Sequence, residues 1–145
     1  MNRSILALES DKHEIYQLQR AIQVAGIEER LIIARNYEEA ICYLKGAGVY
    51  SNRDAHPMPH VVLVDIAAEA CRGLEVISFL RAYHQFSNIS IIATGRNIDQ
   101  KTAQELFMMG VKSVFQKPGD LEQLSEWIKT LMTVPNGNPD QQARA

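Results

Sequence analysis

Five short runs rich in β-branched and aliphatic residues punctuate this chain, at Ser4–Leu8, Leu31–Ala34, Val61–Val64, Ile89–Ala93 and Ser113–Phe115. Between them apolar residues recur at three-and-four spacing, as in Ile15, Leu18, Ile22 and Ala25, or Ala40, Ile41 and Leu44, the period of one face of a helix. The punctuation agrees. Asn36 precedes "YEEA" with Glu39 three residues on, the pattern of a capping box, and Gly26 and Gly110 follow helical runs where a C-cap is expected. The last helix carries Leu121, Leu124, Ile128 and Leu131 on one face. Strand alternating with helix five times predicts an α/β fold, a parallel sheet covered by helices on both faces and joined by right-handed crossovers. Continuous apolar strands such as "VVLV" at 61–64 suit burial on both sides.

The 145 residues fit one domain, predicted over 1–132 and followed at 133–145 by a polar, breaker-rich, disordered tail. With 15 Lys and Arg against 17 Asp and Glu, the chain lacks the basic excess that a phosphate backbone attracts, so no nucleic-acid partner is expected. No apolar run approaches the ~20 residues that span a bilayer, and "MNRSILALESD" is too short for a signal-peptide core. A soluble, cytoplasmic protein with no membrane partner is the expectation. Cys42 and Cys71 show neither metal-ligand spacing nor a disulfide framework and read as free thiols. The long connection Gly46 to His60 reads as a surface excursion, and the scattered His13, His56, His60 and His84 as surface residues.

Open parallel sheets bind ligands at the carboxyl ends of their strands. Here the first strand ends in Glu9, Ser10 and Asp11, the third in Asp65, the fourth in Thr94 and the fifth in Lys117. Each alone has a commoner structural role, as a turn, a cap or a solvated charge. Their convergence on one edge supports phosphoryl transfer to a carboxylate. Asp65 would attack phosphorus while the Thr94 hydroxyl and the Lys117 ammonium hold the phosphoryl oxygens, and a magnesium ion on the acids would bridge one of them.

Taken together, "ILALESD" at 5–11, "VVLVD" with Gly73 eight residues after Asp65, "IIATG" at 91–95 and "FQKPGD" at 115–120 resemble the receiver domain of two-component response regulators. The resemblance covers Ile5 to about Met132, and "YLKGAGVY" leading into the long loop is similar to the stand-alone, CheY-like receivers that partner cyanobacterial-type phytochromes. It implies a flavodoxin-like three-layer sandwich, a five-stranded parallel sheet in the order 2-1-3-4-5 with five helices. It implies Asp65 as phosphoacceptor, Thr94 as switch hydroxyl and Lys117 as active-site lysine. Magnesium would be held by Glu9, Asp65 and the Ala67 backbone carbonyl. A cis Lys117–Pro118 peptide and room for the phosphoryl group beside Gly95 follow too. The implied partners are a histidine kinase or phosphotransfer protein, a downstream target protein and a second copy of the chain, with no enzymatic activity beyond phosphoryl transfer to and from Asp65.

The departures define the expectations further. Ser10 stands where receivers carry the acid that ligates magnesium directly. One lost carboxylate forfeits about 1 kcal/mol at ~4 Å in water and about 4 at an effective dielectric of 20, roughly tenfold to thousandfold in affinity. Asp11, one residue further on, is a candidate replacement. Glu69 replaces a usual proline, Arg72 a common acid or amide, and Val114 the aromatic residue that rotates inward on activation, so the threonine–aromatic relay is absent as normally built. Arg72 and Arg96 are placed to supply the charge magnesium no longer brings. Two function classes remain, a receiver switched at Asp65 and a degenerate receiver that acts as a protein-interaction module with weakened phosphorylation; Ser10, the altered loop and Val114 favour the second. An enzyme on the same fold fits poorly. An aspartate-nucleophile phosphatase needs a second acid where Ala67 stands, and "ESDKHE" is not the hydroxyl-rich phosphate loop of a flavodoxin.

Overall fold

The computed structural model of the chain describes residues 3–117 and 120–133. The predicted tail beyond Thr133 and the Lys117–Pro118 peptide lie outside those residues. In chain order the elements are β1 (Ser4–Leu8), α1 (Lys12–Ala25), β2 (Arg30–Ala34), α2 (Tyr37–Lys45), β3 (Val61–Asp65), α3 (Gly73–Ala82), β4 (Ser90–Arg96), α4 (Gln100–Met108), β5 (Ser113–Lys117) and α5 (Leu121–Thr133). All strand pairings are parallel and the sheet order is β2-β1-β3-β4-β5, as the resemblance implies.

Pleating explains the three layers, since successive side chains of a strand point to opposite faces. Leu6, Leu8, Val62, Val64, Ile91 and Ala93 face one core, filled by Ala40 and Leu44 of α2, Val76, Ile77 and Leu80 of α3, and Leu106 of α4. Ile5, Ala7, Val61, Leu63 and Ile92 face the other, covered by Leu18, Ala21 and Ile22 of α1 and Ile128 of α5. The same alternation aims the polar edge. Glu9, Asp65, Thr94 and Lys117 each stand two residues after Ala7, Leu63, Ile92 and Phe115, so the pleat sends all four toward the α1–α5 side.

The strands run further than the apolar runs suggest. β3 includes Asp65, β4 reaches Arg96 and β5 reaches Lys117, because Asp65 pairs with Thr94, Thr94 with Phe115 and Arg96 with Lys117 in the parallel ladder. Helix starts are fixed by side-chain caps: Asp11, Asn36 and Asp99 accept from the amides of Glu14 (3.0 Å), Glu39 (2.8 Å) and Thr102 (2.7 Å). Such a cap contributes about 1 kcal/mol. In α2 the returning Glu39 carboxylate accepts from the Arg35 amide, one residue before the cap.

The connection from Gly46 to His60 is more than a surface excursion. Arg53 donates to the carbonyls of Leu44 (2.7 Å) and His56 (3.0 Å), Tyr43 donates to Pro57 (2.8 Å), and the rings of Tyr43, Tyr50 and His56 pack together. His56 is therefore half-buried, and so is His60, whose Nδ1 is closed off from solvent; neither is the surface residue expected from the sequence.

Gly73, at the start of α3, sets how closely that helix approaches the end of β3. A Cβ there would lie 2.8 Å from the Asp65 carbonyl oxygen and 2.8 Å from Val64 Cγ1. Gly73→Ala should cost about 1–3 kcal/mol, the usual penalty of overpacking a filled site, in urea unfolding followed by circular dichroism. An unfolding midpoint equal to wild type would contradict the close approach.

Candidate functional site

Asp65 closes β3 and is 5% exposed. Its Oδ1 accepts from the Ala67 amide at 2.9 Å, which folds the following loop back over the carboxylate. Its Oδ2 lies 3.7 Å from Lys117 Nζ, delivered by the last residue of β5. That ammonium is held more tightly by two other acids. It donates to Glu9 Oε1 at 2.7 Å and to Glu14 Oε2 at 2.5 Å. Glu9 is placed by its own amide, which donates to the Ala34 carbonyl at 2.9 Å and continues the β1–β2 ladder one step past β1. Glu14 comes from the first turn of α1, and its Oε1 accepts from Arg96 at 2.9 Å. Thr94 is buried, with its hydroxyl directed to the Val64 carbonyl at a long 3.5 Å. A cavity of about 160 Å³ runs from Glu9, Glu14, Thr94 and Lys117 down between α1 and α5 to Phe115 and Trp127, whose rings stack at 4.5 Å.

The sequence-predicted residues divide in two. Glu9, Asp65 and Lys117 meet, with Thr94 on the same rim and the Ala67 backbone against Asp65. The others do not join them. Ser10 is exposed. Asp11 is not a replacement ligand, because it is an exposed helix cap, and the contact with the Glu14 amide holds its carboxyl below the usual range. Arg72 is turned away, paired with Glu75 and stacked 4.1 Å from the Tyr37 ring centroid, so it brings no charge to Asp65. Its backbone shows what the departure at this position costs. Arg72 is left-handed (φ 47), a conformation that acidic and amide side chains tolerate better. Arg96 reaches the site only through Glu14. Nor does Gly95 leave space for a phosphoryl group: a Cβ there would meet Ile98 at 3.0 Å and Ile66 at 3.2 Å, so its smallness admits those side chains instead.

Glu14 is the residue that sequence reasoning missed. The signal was present, since Asp11-Lys12-His13-Glu14 has the spacing of a capping box, as Asn36 to Glu39 does. Only one arm of the box forms, with the Asp11 carboxylate on the Glu14 amide, while the Glu14 carboxylate goes to Lys117 and Arg96. The oxygens of Glu9, Glu14 and Asp65 lie within 4.8 Å of one another, and no other such group of three acidic, histidine or cysteine ligands occurs among the described residues.

Charge crowding shifts the protons. Burial, reinforced by the negative Asp65 alongside, pushes Glu9 up to about 7 against the pull of Lys117. Burial pulls the Lys117 ammonium down, but its hydrogen bonds to Glu14 and Glu9 and the charges of Glu9 and Asp65 outweigh that, leaving it above the usual lysine value. Cys71 is pushed up to about 11 by burial, with Asp65 and Glu9 adding to it, so its free thiol is unreactive.

The fold is that of the CheY-like receiver domains of response regulators. The chain is similar to response regulator Rcp1 of Synechocystis, with 26% identity over 141 residues, 90% of this chain and 92% of that protein. The fold is also that of response regulator RPA3017 in red light signalling of R. palustris (TM-score 0.83, 22% identity, 89% of this chain and 90% of that one). The Mn2+-bound form of Rcp1 matches with a TM-score of 0.77 and 20% identity over 91% and 93% of the two chains. No family model matches the sequence. A divalent cation is consistent with the acidic cluster, as in that Mn2+-bound relative. No helix among the described residues is long and apolar enough to cross a membrane.

An acid whose pKa is higher in the folded than in the unfolded chain binds its proton more tightly in the native state. Its stabilising contribution is complete below its ordinary value of 4.5 and is lost as the pH rises toward about 7. The melting temperature should therefore fall between about pH 5 and about pH 8 in cation-free buffer, and Glu9→Gln should flatten that slope. Parallel profiles for the two proteins would show that Glu9 is not the titrating group.

Proposed function

We propose that Asp65 is a phosphoacceptor and that the chain is a receiver with a weakened cation requirement, whose output is contact with another protein. The observation that carries this reading is the arrival of Lys117 Nζ between Glu9 and Asp65 from a strand three removed from β1 in the sheet. An Asp65 carboxylate oxygen forms the new bond to phosphorus as the bond from phosphorus to a donor, a phosphohistidine or an acyl phosphate, breaks. The leaving imidazole or carboxylate departs with that bond's electron pair. Lys117 leaves Glu9 and Glu14 for the phosphoryl oxygens, and the Thr94 hydroxyl rotates off the Val64 carbonyl to donate to another of them. Positioning and charge compensation of this kind supply most of the catalysis in phosphoryl transfer.

The donor set fits a hard divalent cation such as magnesium, which takes carboxylate and carbonyl oxygens, and the Lys117 ammonium among those acids is already a stand-in positive charge. Glu9, Asp65 and the Ala67 carbonyl would hold it. When bound it supplies positive charge to the phosphoryl oxygens. The kinase or phosphotransfer partner is proposed to belong to a phytochrome pathway, on the likeness to Rcp1 and to a receiver of red light signalling. Val114 packs into the α2–α3–α4 core, so the phosphorylated state is not read through a rotating aromatic side chain at that position.

The test is intact-mass measurement after incubation with acetyl phosphate, with and without magnesium. A gain of one phosphoryl group that is faster with magnesium and absent in Asp65→Asn is expected. Lys117→Ala should slow it about 100-fold, as loss of a charge-stabilising donor does elsewhere. No adduct on the wild type at saturating donor would instead favour a constitutive protein-interaction module.

A further inference from the structure

Ser10 leaves the receiver one acid short on the β1–α1 loop, yet three carboxylates still surround the cation's place. We infer that Glu14, from the first turn of α1, supplies the missing carboxylate and is a direct ligand of the divalent cation together with Glu9 and Asp65. This rests on the reading of the chain as a cation-dependent receiver and adds to it a residue from a different element.

Three independent features carry the inference. The first is reach, since ligand oxygens of Glu9, Glu14 and Asp65 lie within 4.8 Å of one another, close enough to share one ion. The second is a cation already bound by these oxygens. Lys117 Nζ sits 2.7 Å from Glu9, 2.5 Å from Glu14 and 3.7 Å from Asp65, so the cluster has the charge and inward aim to hold a positive centre. The third is space. The cavity of about 160 Å³ opens onto Glu9 and Glu14, with room for the several waters that a magnesium ion retains.

Local sequence explains why Glu14 can do this. The Asp11 carboxylate caps α1 through the Glu14 amide, which fixes the first turn and brings the Glu14 side chain over the edge of the sheet rather than out to solvent. Ser10, exposed at the end of β1, offers no carboxylate of its own. Ion and ammonium then exchange places. The cation takes the oxygens of Glu9 and Glu14, and Lys117 is released toward Asp65, the partner it needs for phosphoryl transfer. Arg96 keeps its hold on the outer oxygen of Glu14.

The test uses Mn2+ alone, without phosphodonor, followed by the electron paramagnetic resonance signal of the free ion. Glu14→Gln should weaken binding by about tenfold to thousandfold, the range for one carboxylate. Ser10→Asp added to Glu14→Gln should restore it. In the unmutated protein, Mn2+ should broaden the carboxyl carbon resonances of Glu9, Asp65 and Glu14 together while leaving Glu38 and Glu39 sharp, a readout that needs no variant to fold. Wild-type affinity in Glu14→Gln, or a sharp Glu14 resonance in the loaded protein, overturns the inference. Failure of Mn2+ to bind the wild type overturns it as well. Loss of the phosphoryl adduct while Mn2+ binding still depends on Glu14 would sink the proposed function alone.

Discussion

Three carboxylates and one ammonium share a few ångströms at the carboxyl edge of the sheet, and the rest of the site depends on their balance. Like charges at ~4 Å repel by about 4 kcal/mol at an effective dielectric of 20, so Glu9, Glu14 and Asp65 cannot all stay ionised and buried without a positive centre among them. Lys117 is that centre in the resting chain, and it ties β1, α1 and β5 together at one point. Even so the ammonium does not offset the cost of burial, reinforced by Asp65, and Glu9 retains its proton to about 7.

In the proposed function, that balance would link the site to the signal. A receiver must prefer one arrangement before phosphorylation and another after it, and an ammonium with several acidic suitors has both available. In the resting chain Lys117 is nearer Glu9 and Glu14 than Asp65. Under the proposed phosphorylation, a phosphoryl group on Asp65 would add oxygens and negative charge on the side where the ammonium is now weakly held, and the lysine's preference would reverse. Glu14 would then keep only Arg96, which belongs to the end of β4. The proposed route from site to surface would run through charges on α1 and the end of β4.

Much of the architecture was legible in the sequence because it rests on local periodicity. The five apolar runs, the helical spacing between them, the Asn36 cap and the glycine after α1 all depend on interactions within a few residues, and each stands where expected. The site was legible in part. Asp65, Glu9, Thr94 and Lys117 could be named because they follow the apolar runs, and the pleat carries each one two residues beyond an inward-facing apolar neighbour. Asp11, Arg72 and Gly95 were misread because their roles depend on partners that no spacing reveals: a helix amide, the Tyr37 ring and the side chains of Ile66 and Ile98.

The sequence by itself determined an alternating α/β chain with polar residues at the strand ends, since hydrophobic period and turn chemistry act over short stretches. Only the tertiary structure decided which helices cover which face, and therefore that α1 stands over the acidic edge. Glu14 lies 103 residues from Lys117, and Arg96 lies 82 residues from Glu14. Contacts at such separations are set by how the sheet closes and how its helices pack, and a charge gains its function there only when folding has removed the water that would otherwise screen it.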